Sequence, residues 1–305
     1  MKIAVMGAGG VGAYVGARLQ VEGEQVAYIA RGLHLAAMQS DGLRIESPAG
    51  NVHLPKVEAR EDPARVGTVD LVLFTVKLWD TESAAHALAP LLAPHTRVVT
   101  LQNGIDSVEM ISRHVPRAQV VGGVIYVSAV ISRPGVITSP GGFHRIIVDA
   151  AGGDQTVAGF CQACQRAAGI EAVATDAIDL AIWEKFITLA AISGATALLR
   201  ASTGPILGNP ETREFLRQLI AEGVAVAQAA GHAVSAEFTD TAMSKIAVMP
   251  PTFRSSMAED LESRKPLELK WLSGRIHGLG LQYRVPTPGH SAVYRGLALY
   301  ADGNG

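Results

Sequence analysis

The sequence predicts an α/β chain, with an N-terminal doubly wound parallel sheet followed by a second, all-helical C-terminal domain. Three observations predict it. A glycine-rich run, "GAGGVG" (Gly7 to Gly12), follows a short apolar strand at the start of the chain. Strands that are apolar throughout, such as "VDLVLFTVK" (69–77), then alternate with helical stretches. Such strands suit burial on both faces of a parallel sheet. After Asp176 the strand signals stop, and helical stretches punctuated by Gly and Pro take over. A chain of 305 residues accommodates about two domains, here expected at 1–175 and 176–305.

The elements read as follows. "KIAVMG" (2–7) is a strand, and "VGAYVGARLQVEG" (11–23) is a helix ended by Gly23. "QVAYIAR" (25–31) is a second strand. "LRIES" and "NVHLPKV", joined by Pro48-Ala49-Gly50, form a small hairpin. Then come a strand at 69–77, a helix at 81–93 and a strand at 97–104. Strands at 119–132, 135–139 and 145–149 are separated by turns at "RPG" and "SPGG". A helix at 154–168 and a strand at 171–174 close the first half. The second half reads as helices at 176–200, 211–230, 235–248, 254–263, 267–280 and 289–301.

Composition narrows the function. Hydrophobic residues make up 48% and charged residues 18%, as in a globular protein with large cores. The net charge of −2, without a basic run, argues against nucleic acid and against an anionic membrane surface as partners. The longest apolar stretch, around 182–199, carries Glu184 and Lys185, so no membrane span is expected. The glycine-dense N-terminus with Arg18 suits a strand–turn–helix better than a signal peptide, and a cytoplasmic location is expected. Cys161 and Cys164 are spaced C-x-x-C. No second pair or histidine cluster accompanies them, so packing is favoured over a redox or metal role. Apolar helices such as 215–230 need cover, from a second copy in a homodimer or from the chain itself.

"GAGGVG" matches G-x-G-x-x-G, and its setting between a strand and a helix makes it a Rossmann-type dinucleotide site. Gly7 permits the tight turn, Gly9 lets the backbone approach a pyrophosphate, and Gly12 lets the helix pack on the strand. Ala8, Gly10 and Val11 complete a turn that rests the pyrophosphate on a helix N-terminus. An NAD site usually places an acid about 20 residues on. Here that place is taken by Arg31, 19 residues after Gly12. A guanidinium binds a 2′-phosphate in bidentate fashion. Lys77, ending the strand "LFTVK", supplies a second cation, so NADP(H) is favoured over NAD(H).

Lys185 is the chemical candidate in the second half. It lies in "IWEKFITLAAIS" (182–193), an apolar helix in which an unpaired charge is costly. A partly desolvated lysine titrates closer to neutrality and suits general acid work. A structural ion pair, for instance to Glu268, explains it equally well. Leu189 and Ser193 share its helix face, at i+4 and i+8.

Taken together, "GAGGVG", Arg31, "VK" (76–77), "QNG" (102–104), "WEKF" (183–186), "SSM" (255–257), "LEL" (267–269) and "VPTP" (285–288) resemble the ketopantoate reductase family (2-dehydropantoate 2-reductases) over nearly the whole chain. The resemblance implies a Rossmann domain and a helical domain with NADPH between them, and reduction of a 2-oxo acid to a 2-hydroxy acid. It implies that Gly7 to Gly12, Arg31, Lys77, Asn103, Ala129 and Glu268 contact the cofactor. It implies Lys185 as proton donor, oriented by Glu268, with Asn103 and Ser256 on the substrate. Plainer readings stand beside these: Asn103 as a turn residue, Ser256 as a helix cap, Glu268 as a solvated helix residue.

The chain also departs from the family pattern. Leu189, Ser193 and Thr203 occupy substrate-binding positions where asparagine is common, and Leu189 cannot hydrogen-bond. The expected reaction is NADPH-dependent reduction of 2-dehydropantoate to (R)-pantoate, in pantothenate biosynthesis. A different 2-oxo acid or an imine, and a non-catalytic NADP(H)-binding sensor, are the alternatives.

Overall fold

The computed structural model describes residues 1–141 and 144–303. They form two compact units, Met1–Ile178 and Asp179–Gly305.

In the first unit, β1 (Lys2–Met6) enters the glycine turn and α1 (Gly10–Val21) leaves it. There follow β2 (Gln25–Ile29), α2 (Gly32–Asp41), β3 (Leu43–Glu46), β4 (Val52–Leu54), β5 (Glu58–Arg60) and β6 (Leu71–Phe74). Next come α3 (Thr81–His86), β7 (Arg97–Thr100), α4 (Ser107–Ser112), β8 (Val120–Tyr126), β9 (Val130–Arg133) and β10 (Val136–Thr138). β11 (His144–Asp149), α5 (Gln155–Arg166) and β12 (Ile170–Thr175) complete it.

The main sheet has eight strands in the order β12-β11-β8-β7-β6-β1-β2-β5. Its pairs are parallel except β8 with β11, which is antiparallel. Strand periodicity explains the two cores. Ile3, Val5, Leu71, Leu73, Val99 and Val121 face one side and join α1 and α5. Ala4, Met6, Val72, Phe74, Val98 and Val120 face the other and join α3 and α4. This is why β1 and β6 are apolar throughout: neither face meets water.

Several expectations are corrected by tertiary pairing. The expected hairpin exists as β3 with β4, but it belongs to a second sheet ordered β4-β3-β10-β9. The strand expected at 119–132 is split, because β8 serves the main sheet and β9 the second one. The helix expected at 81–93 stops at His86 and resumes as a 3₁₀ turn, Ala89–Leu91. Pro90 accounts for this, since an interior proline removes a hydrogen bond and clashes with the preceding turn. α2 and α4 were not anticipated, and of the turn "SPGG" Gly142 lies outside the described residues.

In the second unit, α6 (Ile178–Leu198), α7 (Thr203–Gly208), α8 (Pro210–Ala229), α9 (Phe238–Ala247), α10 (Ser256–Glu262), α11 (Ser273–Tyr283) and α12 (Pro288–Gly296) follow one another. The helix expected at 267–280 begins instead as a 3₁₀ turn, Glu268–Trp271. Among the described residues, α6 alone is long and apolar enough to cross a membrane, yet 61% of that window is buried inside the protein. It is the core helix of its unit.

Two glycines let neighbours reach α6. A Cβ on Gly223 of α8 would lie 3.0 Å from Ile187, and one on Gly194 would lie 3.0 Å from Ser273 and 3.2 Å from Val293. The apolar face of α8 is therefore covered within the chain, and it supplies no reason to invoke a second subunit.

Buried Glu222 of α8 fixes the start of α12. Its Oε1 accepts from Gly289 N–H at 2.7 Å and its Oε2 from His290 N–H at 2.9 Å. These N–H groups have no partner inside the helix, and a carboxylate also complements the positive end of the helix dipole. "VPTP" is thus a helix entry whose cap comes from another helix. Glu222→Gln replaces the carboxylate with a neutral amide. We expect a loss of about 1–3 kcal/mol in urea unfolding; an unchanged midpoint would show that the cap carries no stability.

Candidate active site

The glycine turn is held from three sides. Gly7 has φ +91, and its N–H, with that of Ala8, donates to the Ile29 carbonyl at the end of β2. Thr75 Oγ1, just past β6, donates to the Gly7 carbonyl at 2.8 Å. A Cβ on Gly7 would lie 2.7 Å from Val76, and one on Gly12 would lie 2.3 Å from Thr75 Oγ1. The first and last glycines are thus demanded by packing, as expected from the motif. Gly9 is different: a Cβ there would meet nothing within 4 Å. It is also the N-cap of α1, with no side-chain cap, and the first turn of α1 carries no acidic residue. An open approach to an uncapped helix N-terminus fits a pyrophosphate. Gly10 carries a constraint that the motif alone did not reveal. A Cβ there would lie 2.1 Å from the Ala129 carbonyl oxygen, so Ala129 abuts the turn directly. Val11 follows in the first turn of α1, partly buried.

Arg31 stands two residues past β2, as the N-cap of α2, and Lys77 three residues past β6. Both are exposed, at the carboxyl ends of strands that flank β1. Arg31 Nη2 donates to Asp80 Oδ2 at 2.7 Å. Lys77 Nζ lies 5.5 Å from the centre of the Trp79 ring.

The loop bearing Lys77 is tied to the loop bearing Asn103 by Gln102. Its buried Nε2 donates to the Val76 carbonyl at 2.9 Å and to Thr81 Oγ1 at 2.8 Å. Asn103 follows, half-buried, before Gly104 at φ +83. Thr75 and Gln102 were not identified from the sequence. Gln102 stands inside the quoted "QNG", but only the fold reveals what its amide holds.

In the second unit, Lys185 lies on α6, half-buried. Burial lowers the pKa of its ammonium and the charge of Glu268 opposes the shift, leaving it at about 8. Glu268 is itself buried, at 6% exposure, so it is not a solvated helix residue. The Leu267 N–H before it donates to the Ala301 carbonyl, which holds this segment against the chain's end.

Leu189, one turn beyond Lys185, is half-buried. Ser193 is fully buried, and its Oγ has no hydrogen-bond partner among the described residues. Thr203 is 1% exposed, and its hydroxyl donates to the Pro250 carbonyl at 2.9 Å. Its hydrogen is therefore committed to the backbone. Ser255, not Ser256, caps α10: its Oγ accepts from Ala258 N–H and lies 2.8 Å from Thr196 Oγ1 of α6. This leaves Ser256 exposed in the first turn, anchored to α6 through its neighbour. Cys161 and Cys164 are free and buried in α5, and burial raises both thiols. A low-pKa redox thiol needs the opposite.

Known proteins resemble this chain over nearly its whole length. The model of the ketopantoate reductase PanE/ApbA family matches residues 3–152, and that of the family's C-terminal part matches residues 177–301. The 2-dehydropantoate 2-reductase of Halobacterium salinarum is 31% identical over 289 residues, 94% of this chain and 95% of that protein. The crystal structure of a PanE/ApbA family ketopantoate reductase from Ralstonia eutropha JMP134 superposes with a TM-score of 0.89 at 32% identity, covering 99% of this chain and 98% of that one. A D-mandelate dehydrogenase solved with NADH and anilino(oxo)acetate shares the fold, with a TM-score of 0.90 at 20% identity over 99% of this chain and 98% of that one. The chain belongs to the ketopantoate reductase PanE/ApbA family of oxidoreductases.

Proposed function

We propose that the chain is a cytoplasmic NADPH-dependent reductase of a 2-oxo acid. Reduction of 2-dehydropantoate to (R)-pantoate, a step of pantothenate biosynthesis, is the reaction of first choice. The observation that carries this reading is Lys185, a half-buried ammonium set near neutrality beside a buried carboxylate. The glycine turn would hold the pyrophosphate, with Ala129 and Asn103 as further contacts, and Arg31 and Lys77 would meet a 2′-phosphate. When bound, the reduced nicotinamide supplies a hydride to C2 of the substrate.

Lys185 gives a proton to the carbonyl oxygen as the C–O bond becomes single, and the neutral amine is then reprotonated from water. Glu268 opposes the effect of burial, so most of Lys185 stays protonated at pH 7. Ser256, exposed at the start of α10, would donate to the substrate carboxylate. Glu268 also serves as the further cofactor contact that the family pattern implies.

Leu189 favours a second reading within the same chemistry. It lies one helical turn from the proton donor and offers no hydrogen bond. A pocket wall of this kind gains nothing from a substrate hydroxyl and accepts an apolar 2-oxo acid. The fold does not choose between the two, since a D-mandelate dehydrogenase shares it. Assay of 2-dehydropantoate beside the equally branched 2-oxo acid lacking the hydroxyl decides between them. NADPH binding without oxidation by any 2-oxo acid would leave a sensor role instead.

Lys185→Ala should lower turnover by roughly 10²–10⁴ with the NADPH dissociation constant unchanged. Equal turnover would remove Lys185 from the chemistry. Only protonated Lys185 can act as the acid, so kcat/KM for reduction should be flat at lower pH and fall above about 8. Glu268→Gln removes the charge that supports protonation, and should move that fall to lower pH. A fall at the same pH in both proteins would assign it to another group. Arg31→Ala should erase a preference for NADPH over NADH. Equal weakening toward both dinucleotides would mean that Arg31 does not meet the phosphate.

A further inference from the structure

The Arg31 guanidinium already has a carboxylate partner, and its position is unusual. Asp80 ends a 3₁₀ turn, Leu78–Asp80, and is the N-cap of α3, yet its side chain makes no cap hydrogen bond. Aspartate at this position normally accepts from the first turn of its own helix. Here it reaches across to Arg31 Nη2 at 2.7 Å. We propose that Asp80 sets the choice between phosphorylated and unphosphorylated dinucleotides by competing with a 2′-phosphate for Arg31. This rests on the proposed function, in which Arg31 meets that end of the cofactor.

The loop geometry makes the competition unequal. Asp80 is held by its surroundings: its N–H donates to the Lys77 carbonyl at 2.9 Å, and the next residue, Thr81, is fully buried. Thr81 Oγ1 donates to the Leu78 carbonyl and accepts from Gln102 Nε2, each at 2.8 Å. Arg31 is the more exposed partner, at 74% against 26% for Asp80. A ligand can therefore draw Arg31 away, while the carboxylate stays where the loop puts it. A surface ion pair of this kind is weak, so Asp80 does not block binding. It acts on the ratio of affinities instead.

A 2′-phosphate carries negative charge and would be bound beside a fixed carboxylate, with repulsion offsetting part of the gain from Arg31 and Lys77. A cofactor with a free 2′-hydroxyl meets no such repulsion, and a carboxylate can accept its hydrogen. The chain should accordingly bind both NADPH and NADH, with a narrower preference than Arg31 and Lys77 alone would give. A linear reading does not reveal this pair, because Arg31 and Asp80 are 49 residues apart in the chain.

The test is titration of the intact protein, Asp80→Asn and Asp80→Ser with NADPH and with NADH, followed by calorimetry. Both variants should tighten NADPH relative to NADH by roughly tenfold, and the gain should shrink at high salt. An unchanged ratio in both variants would overturn the inference alone. So would weaker NADPH binding, since Asp80 would then be orienting Arg31 for the phosphate. If the unaltered protein binds neither dinucleotide, the proposed function falls and the inference falls with it.

Discussion

The first unit depends on how closely its backbone can approach itself between Gly7 and Gly12. The end of β2, the loop after β6 and the segment at Ala129 all converge on this turn. At Gly7, Gly10 and Gly12 a single added carbon would overlap a neighbour, whereas at Gly9 it would meet open space. The crowding is confined to the packed side of the turn. The open side combines accessible backbone with an uncapped helix N-terminus, the arrangement that favours an anion. Sterics and electrostatics are satisfied by the same short run of residues.

The second unit is organised around α6, which carries a cation, Lys185. Taking Lys185 out of water lowers the affinity of its amine for a proton, and Glu268 restores part of it. The balance leaves an ammonium that is largely charged at neutral pH but gives up its proton more readily than a lysine in water. Neither group alone achieves this. Without the carboxylate the amine would titrate lower still, and without burial it would titrate as an ordinary lysine.

A recurrent device holds each unit: loops and helix ends are fixed by side chains from distant elements. Thr75 pins the glycine turn, and Gln102 joins the loops that carry Lys77 and Asn103. Ser255 joins α10 to α6 through Thr196, and Glu222 caps α12 from α8. Each anchor is buried or nearly so, where a lost partner leaves an unsatisfied polar group and costs more than a surface bond would. Of the residues proposed to face a ligand, Lys77 and Ser256 are exposed and lie within two residues of the anchors Thr75 and Ser255.

The sequence by itself determined the α/β class, the glycine turn, the apolar central strands and the start of an all-helical region after Asp176. These are written in local periodicity and in residues with special backbone freedom, which a linear reading can detect. It also pointed to Lys185, because a charge in an apolar helix is a local anomaly. Tertiary structure decided the rest. It split 119–132 between two sheets, gave Gly10 its contact with Ala129, and spent the Thr203 hydroxyl on a backbone carbonyl. It also paired Asp80 with Arg31, 49 residues away in the chain. The physical reason is common to all four. A hydrogen bond or a close contact between residues far apart in the chain leaves no periodic trace, and the same side chain can satisfy either a local partner or a distant one.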